Sequence, residues 1–145
     1  MPNRYCEVGD SMMNYLVVGL GGILGSISRY ALSSFVSGLN KTAFPYGTLS
    51  VNLIGCFLLS FIAYGSILKW NLPKRYILAI NTGFIGSFTT FSTFSLEALN
   101  LIIEGKLILA IAYVLVSVMA GLTLSWLGIY ASTKIYQKAR LRTGM

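Results

Sequence analysis

Four apolar stretches, at 15–36, 46–68, 76–103 and 107–130, each reach the roughly 20 residues that a helix needs to cross a bilayer. Short polar turns separate them: Gly38, Leu39, Asn40 and Lys41 with Pro45, then 69–75 around Pro73, then Glu104, Gly105 and Lys106. Turns this short force neighbouring spans to run antiparallel. Charged residues make up 10% of the 145, against about 25% in a soluble domain. The expected fold is an all-α integral membrane protein with four transmembrane helices and no room for a soluble domain.

Tyr15, Tyr46, Trp70, Tyr76, Trp126, Tyr130 and Tyr136 fall near the ends of the stretches, where amphipathic rings favour the headgroup region. The chain divides into a polar N-terminal tail (1–12), a transmembrane domain (13–133) and a basic C-terminal tail (134–145). The first apolar run is not followed by the small-residue pattern of a cleavage site, so a removed signal peptide is not expected.

Function classes narrow quickly. The chain has no histidine and four acidic residues, two of them in the N-terminal tail, which removes His-based triads and side-chain metal clusters. An enzyme is not expected. Cys6 and Cys56, one in the tail and one mid-span, read as small hydrophobes rather than a disulfide. The net charge of +7 suits topology better than nucleic acid, and no nucleic-acid partner is expected. Arg4, Lys69, Lys74, Arg75, Lys134, Lys138, Arg140 and Arg142 share one face, Lys41 and Lys106 the other. The positive-inside rule then puts both termini in the cytoplasm.

Within the spans the polar residues are patterned. In the first, Gly21 and Gly25, then Gly22 and Ser26, recur four apart and allow close helix approach. Arg29 follows, and a guanidinium there must snorkel, pair with carbonyls or face water, so it is a candidate for an anion-attracting vestibule. In the second, Thr48, Asn52 and Gly55 share a face, and the Asn52 carboxamide offers either an interhelical hydrogen bond or a ligand contact. In the last, Tyr113, Ser117, Gly121 and Ser125 make a further stripe.

The third span differs in kind. From Gly83 to Glu97 it holds four phenylalanines among six Ser and Thr hydroxyls. Unpaired polar groups in hydrocarbon each cost several kcal/mol, on the order of what one hydrogen bond returns, so this segment must be buried in protein or line a polar path. Gly83 and Gly86 permit a helix break near mid-bilayer, freeing carbonyls that suit a cation. Phe91 and Phe94 share a face beyond it, with Ser92 and Thr93 turned to neighbouring directions.

Three segments carry a family resemblance: Gly-Gly-Ile-Leu-Gly-Ser-Ile-Ser-Arg-Tyr from Gly21, Gly-Thr-Leu-Ser-Val-Asn-Leu-Ile-Gly from Gly47, and the whole of Gly83 to Glu97. Together they resemble the small fluoride channels known as the Fluc or CrcB family, the third most specifically. The resemblance implies an antiparallel dual-topology dimer with two fluoride pathways and one structural sodium ion at the centre of the interface. It implies that backbone carbonyls of Gly86 and Thr89 bind the sodium. It also implies that Phe91, Phe94 and Asn52 line the pore, that Ser92 and Thr93 belong to a polar track, and that Tyr113 matches the last-span tyrosine. Ser117, one turn on from Tyr113, joins the candidate pore lining.

These roles are chemically reasonable. Fluoride is strongly hydrated, so a dehydrating pore needs donors such as the Asn52 amide and the hydroxyls. Ring edges are positive, so Phe91 and Phe94 can meet an anion edge-on while staying apolar. A buried cation favours a passing anion. Where the family commonly reads Gly-Gly-Leu-Thr-Thr, this chain has Gly86-Ser87-Phe88-Thr89-Thr90. The charge bias also departs from the near balance of a dual-topology protein, so the partner is either a second copy or an oppositely oriented paralogue. The expected function is passive fluoride export across the plasma membrane. The alternative, a proton-coupled exporter of four-helix type or a fluoride/proton antiporter, would use a mid-membrane carboxylate; the first span has none, and Glu97 lies past the helix break toward a vestibule, where a carboxylate more often caps or pairs than carries protons.

Overall fold

The structure is a computed structural model, and it describes residues 4–39, 42–68 and 73–143. The turn residues Asn40 and Lys41 and the 69–72 turn, with Lys69 and Trp70, lie outside the described residues. The described chain is all helix and turn: α1 (Arg4–Leu39), α2 (Tyr46–Ile67), α3 (Lys74–Ile77), a π-helical stretch (Leu78–Ile85), α4 (Gly86–Phe88), α5 (Phe91–Ile103) and α6 (Leu107–Thr143). Four segments are long and apolar enough to span a membrane, namely Met12–Leu39, Tyr46–Ile67, Arg75–Ile103 and Leu107–Leu141. From Arg4 onward the residues assigned to the N-terminal tail are helical and continuous with the first span. The basic C-terminal residues to Thr143 likewise prolong α6.

Local chemistry sets the ends of these elements. Pro45 precedes α2, and its carbonyl accepts the Leu49 amide at 3.2 Å. Between α5 and α6, Gly105 takes φ 73°, the Lys106 amide reaches back to the Leu101 carbonyl at 2.8 Å and the Gly105 amide to the Ile102 carbonyl at 3.0 Å. This Schellman arrangement needs a left-handed residue, which glycine supplies without a Cβ penalty. Lys106 also pairs with Glu104 at 2.7 Å on the exposed turn.

Packing follows the small residues. α1 lies along the π-helical stretch and α2 along α6. A Cβ on Gly25 would strike the Phe84 carbonyl, and one on Gly21 the Ala79 carbonyl oxygen, so these glycines set the closeness of the first seam. At Gly128 a Cβ would come within 2.6 Å of the Phe57 carbonyl oxygen, setting the second. A small buried cluster of Leu49, Leu101, Ala110 and Tyr113 knits α2, α5 and α6 together, with Phe44 and Phe94 against it.

Two local irregularities fall in the third span. The π-helical stretch ends with the Gly86 amide on the Asn81 carbonyl, and such stretches are rare and often mark functional regions. After α4 the backbone of Thr89 (φ −75°, ψ 156°) and Thr90 (φ −146°, ψ 121°) is extended before α5 begins.

Candidate functional site

The extended pair Thr89–Thr90 is held from α2. Asn52 Nδ2 donates to the Thr90 carbonyl at 3.0 Å, and the Thr90 amide donates to Asn52 Oδ1 at 2.8 Å. Because a peptide N–H only donates and a carbonyl only accepts, this pairing also fixes which way the carboxamide points. One Nδ2 hydrogen is left over. Gly55, one turn along, leaves room for Thr89, whose methyl occupies the place a Cβ would take. Asn52 and Gly55 on the shared face of α2 therefore grip the interruption from one side, while Thr48 on the same face bonds to Glu97.

Thr90 does a second job. Its hydroxyl caps α5, accepting the Thr93 amide at 3.2 Å, and donates to Thr93 Oγ1 at 3.0 Å, with Ser92 Oγ 3.3 Å away. In an unbroken helix the Thr90 amide would close on the Gly86 carbonyl, and the Thr93 amide on the Thr89 carbonyl. Both amides are diverted, the first to Asn52 and the second to the Thr90 side chain. The Gly86 and Thr89 carbonyls thus lose their helical donors, as carbonyls at a helix C-terminus do. Uncharged oxygen acceptors of this type suit a hard cation such as sodium. Among the described residues no group of three or more His, Cys, Asp or Glu could hold a metal instead.

Two recesses flank the interruption and share only Thr90. The first, about 370 Å³, is lined by Asn52, Cys56, Thr89, Phe91, Phe94 and Ser117 among others. Phe91 is 79% exposed there, its ring 6.0 Å from that of Phe94. The Cys56 thiol is free. The second, about 190 Å³, joins Arg29, Ser26 and Ser33 of α1 to Thr48, Thr90 and Thr93. Of the sequence candidates, Asn52, Thr89, Phe91, Phe94 and Ser117 therefore meet in one recess, and Arg29 and Thr93 in the other. Gly86, Ser92 and Tyr113 line neither.

Several hydroxyls are already engaged. Ser117 Oγ donates to the Tyr113 carbonyl at 2.6 Å and Ser26 Oγ to the Gly22 carbonyl at 2.9 Å, the local back-bonding common in apolar helices. Tyr113 is fully buried, its ring 5.0 Å from that of Phe94 and 5.5 Å from that of Phe44. Its hydroxyl donates to Glu97 Oε2 at 2.8 Å, while Thr48 Oγ1 donates to Glu97 Oε1 at 2.8 Å. Both Glu97 oxygens thus accept from side chains of other spans.

Sequence reasoning passed over Thr90 and the Thr48–Glu97–Tyr113 triangle. Thr90 carries the signal of a cap, a hydroxyl residue three before Thr93 at a helix start. The triangle links residues far apart in the chain. Only the four-residue spacing from Thr93 to Glu97 hints that Glu97 shares the inner side of α5.

Comparison with known proteins adds a family. Residues 16–129 match the family described as CrcB-like protein, Camphor Resistance (CrcB). A protein of Citrifermentans bemidjiense named fluoride-specific ion channel FluC is 48% identical over 118 residues, 81% of this chain and 95% of that one. FluC 1 of Bacillus cereus is 46% identical over 114 residues, 79% of this chain and 83% of its own length. FluC 2 of Listeria innocua is 43% identical over 126 residues, covering 87% and 95%.

Proposed function

Since the chain belongs to the CrcB-like family, we propose that this multi-pass membrane protein is a fluoride-selective channel, in which the recess between Asn52, Phe91 and Phe94 is half of the ion path. The observation that carries the reading is the double hydrogen bond from Asn52 to Thr90. It positions an amide in the same recess as two phenylalanine rings, with no charged side chain in the lining. A dehydrated fluoride needs donors, and a permanent cation would hold it too tightly to let it leave. Arg29 stands in the adjoining recess with Ser33 and Thr93, where it can draw anions from solution without entering the narrow part.

The interruption at Thr89–Thr90 is read as a break of the third span within the membrane. The carbonyls of Gly86 and Thr89 would hold a structural sodium ion, whose charge would favour an anion nearby. Phe91 is an exposed ring beside an open recess, which fits completion of the path by an antiparallel partner subunit. Ser117 and Thr93 would supply the hydroxyl lining, with Ser92 beside the Thr90 hydroxyl and Tyr113 supporting Phe94 from behind. Tyr113 and Ser117 already donate their hydroxyl protons to Glu97 and to the Tyr113 carbonyl, so an arriving ion must reorient them, whereas Thr93 Oγ1 accepts from Thr90 and retains its own proton to donate.

The partner is either a second copy or a paralogue inserted the opposite way. The charge bias favours one fixed orientation, with both termini in the cytoplasm and the protein in the plasma membrane. The numbered names FluC 1 and FluC 2 among the relatives agree with genomes that carry more than one such subunit. The reading is tested by reconstituting this chain alone in vesicles loaded with fluoride. Efflux is expected if two copies suffice. No efflux alone, together with efflux after co-expression with a paralogue, would assign the heterodimer, and no efflux in either case would overturn the channel reading. Protease accessibility of tagged termini reports the orientation.

A further inference from the structure

The two recesses meet at Thr90, the single residue that lines both. Thr90 is buried, and its two halves are bonded to opposite sides. Its peptide is paired with Asn52, which lines only the first recess, and its hydroxyl with Thr93, which lines only the second. Thr90 is therefore the wall between them.

The recesses differ in what they offer an anion. Seven of the nine residues that line the second carry a hydroxyl, and among the described residues Arg29 is its one charged side chain. Ser26, Arg29 and Ser33 stand on one face of α1, at i, i+3 and i+7. Its volume of about 190 Å³ takes roughly six waters at about 30 Å³ each, so an anion can stay there largely hydrated beside a guanidinium. The first recess has no charged residue in its lining and presents Leu59, Phe91, Phe94 and Val118 around the Asn52 amide. An ion enters it only after losing water, because few polar partners are there to replace a shell. The order from wet and cationic to drier and neutral is that of a path along which an ion dehydrates in stages.

The proton count at the wall allows a transfer. The Thr90 O–H donates to Thr93 Oγ1 at 3.0 Å, which leaves Thr93 its own proton, and Ser92 Oγ lies 3.3 Å from the Thr90 oxygen. Rotation about the Thr90 Cβ–Oγ bond turns that proton from Thr93 to a passing ion without any backbone change. Beyond the wall, the Asn52 Nδ2 hydrogen that the Thr90 carbonyl does not use is the next donor.

On the strength of the fluoride-channel reading above, we propose that the two recesses are consecutive stations of one anion path and that Thr90 is the hand-over point between them. The Arg29 recess accepts the hydrated ion. The Thr90 hydroxyl then takes the place of a lost water while the ion crosses to Asn52. Several weak stations in series let an ion both enter and leave, where one strong site would trap it.

The test is initial fluoride efflux as a function of fluoride concentration, from vesicles holding the purified full chain, with the paralogue where the heterodimer is the active form. Efflux by the wild type tests the channel reading by itself, and the variants test the path. Ser34 lines the second recess at an exposed position, so Ser34→Asp and Ser34→Asn differ there in charge at nearly equal size. In 1 M potassium gluconate, where screening confines a charge to about 3 Å, Ser34→Asp should raise the half-saturating fluoride concentration at least fivefold over Ser34→Asn. Thr90→Val should lower the maximum rate about tenfold, the loss expected for one hydrogen bond to an ion, and leave the half-saturating concentration unchanged. Thr90→Ser should keep the wild-type rate. Equal half-saturation in the two Ser34 variants, or a wild-type maximum rate in Thr90→Val, would overturn the proposal. Should Thr90→Val fail to fold, the Ser34 pair decides, because the second recess meets the first only at Thr90.

Discussion

Asn52 carries two loads that substitution can separate. It closes both hydrogen bonds of the Thr90 peptide, and it offers one further N–H toward the recess. Asn52→Ala should lower stability by roughly 2–4 kcal/mol, from two peptide groups left unpaired, and should abolish fluoride flux. Thermal unfolding in detergent reads the first effect and vesicle efflux the second. Asn52→Asp keeps the acceptor for the Thr90 amide but sets a carboxylate oxygen against the Thr90 carbonyl, so it should lose flux as well. Thr90→Val should cost about 1 kcal/mol through loss of the α5 cap, and Thr90→Ser should restore it. Phe91→Ile and Phe94→Ile should abolish flux while the protein remains folded, because they remove a polarised ring edge and little packing at Phe91; unchanged flux would remove the ring role. That Asn52, Phe91 and Phe94 deserved attention was legible beforehand, since a carboxamide and paired rings in an apolar span each have few uses, and the structure brings these three to one recess. Which hydroxyl caps and which lines was not, because Thr90, Ser92 and Thr93 differ only in backbone geometry that the sequence does not display.

The third span is the element on which the site depends. Four features act on it together: the π-helical stretch up to Ile85, the extended pair Thr89–Thr90, the Asn52 grip and the space left by Gly55. Gly55→Ala would drive a methyl into the Thr89 side chain and push the pair away from α2. The expected outcome is loss of flux with a fall in melting temperature larger than the same change gives at Gly38, where a Cβ would meet nothing. Equal effects at the two sites would show that the α2 contact does not hold the interruption. The four spans were legible from length and hydropathy, and the α5–α6 turn from Glu104-Gly105-Lys106. The π-helical geometry was not, because Leu78 to Ile85 reads as ordinary apolar helix, and its close approach to α1 at Gly21 and Gly25 is a contact between distant parts of the chain. The helical extension of both termini was also unmarked, since polar residues leave no apolar period to follow.

At the scale of the molecule, few side chains among the described residues are buried, and large apolar residues face outward on every span, as a protein dissolved in lipid requires. Ion selectivity belongs to this scale, because in the proposed channel a partner subunit would close the open recess. Replacing sodium by N-methyl-D-glucamine throughout purification should lower the thermal stability of the assembled form if the Gly86 and Thr89 carbonyls hold that ion, and unchanged stability would remove it from the assembly. Glu97 is the residue at which the channel and the proton-coupled readings differ: its two oxygens accept from Thr48 and Tyr113, and efflux with and without a proton gradient tells the readings apart. The most direct measurement is efflux from vesicles that contain the purified protein and are loaded with equal fluoride and chloride, followed with and without a protonophore. Fluoride should leave down its gradient while chloride stays, at a rate unaffected by collapse of the proton gradient once charge is balanced by potassium and valinomycin. Equal loss of the two halides, or fluoride movement that requires the proton gradient, would contradict a passive fluoride-selective channel.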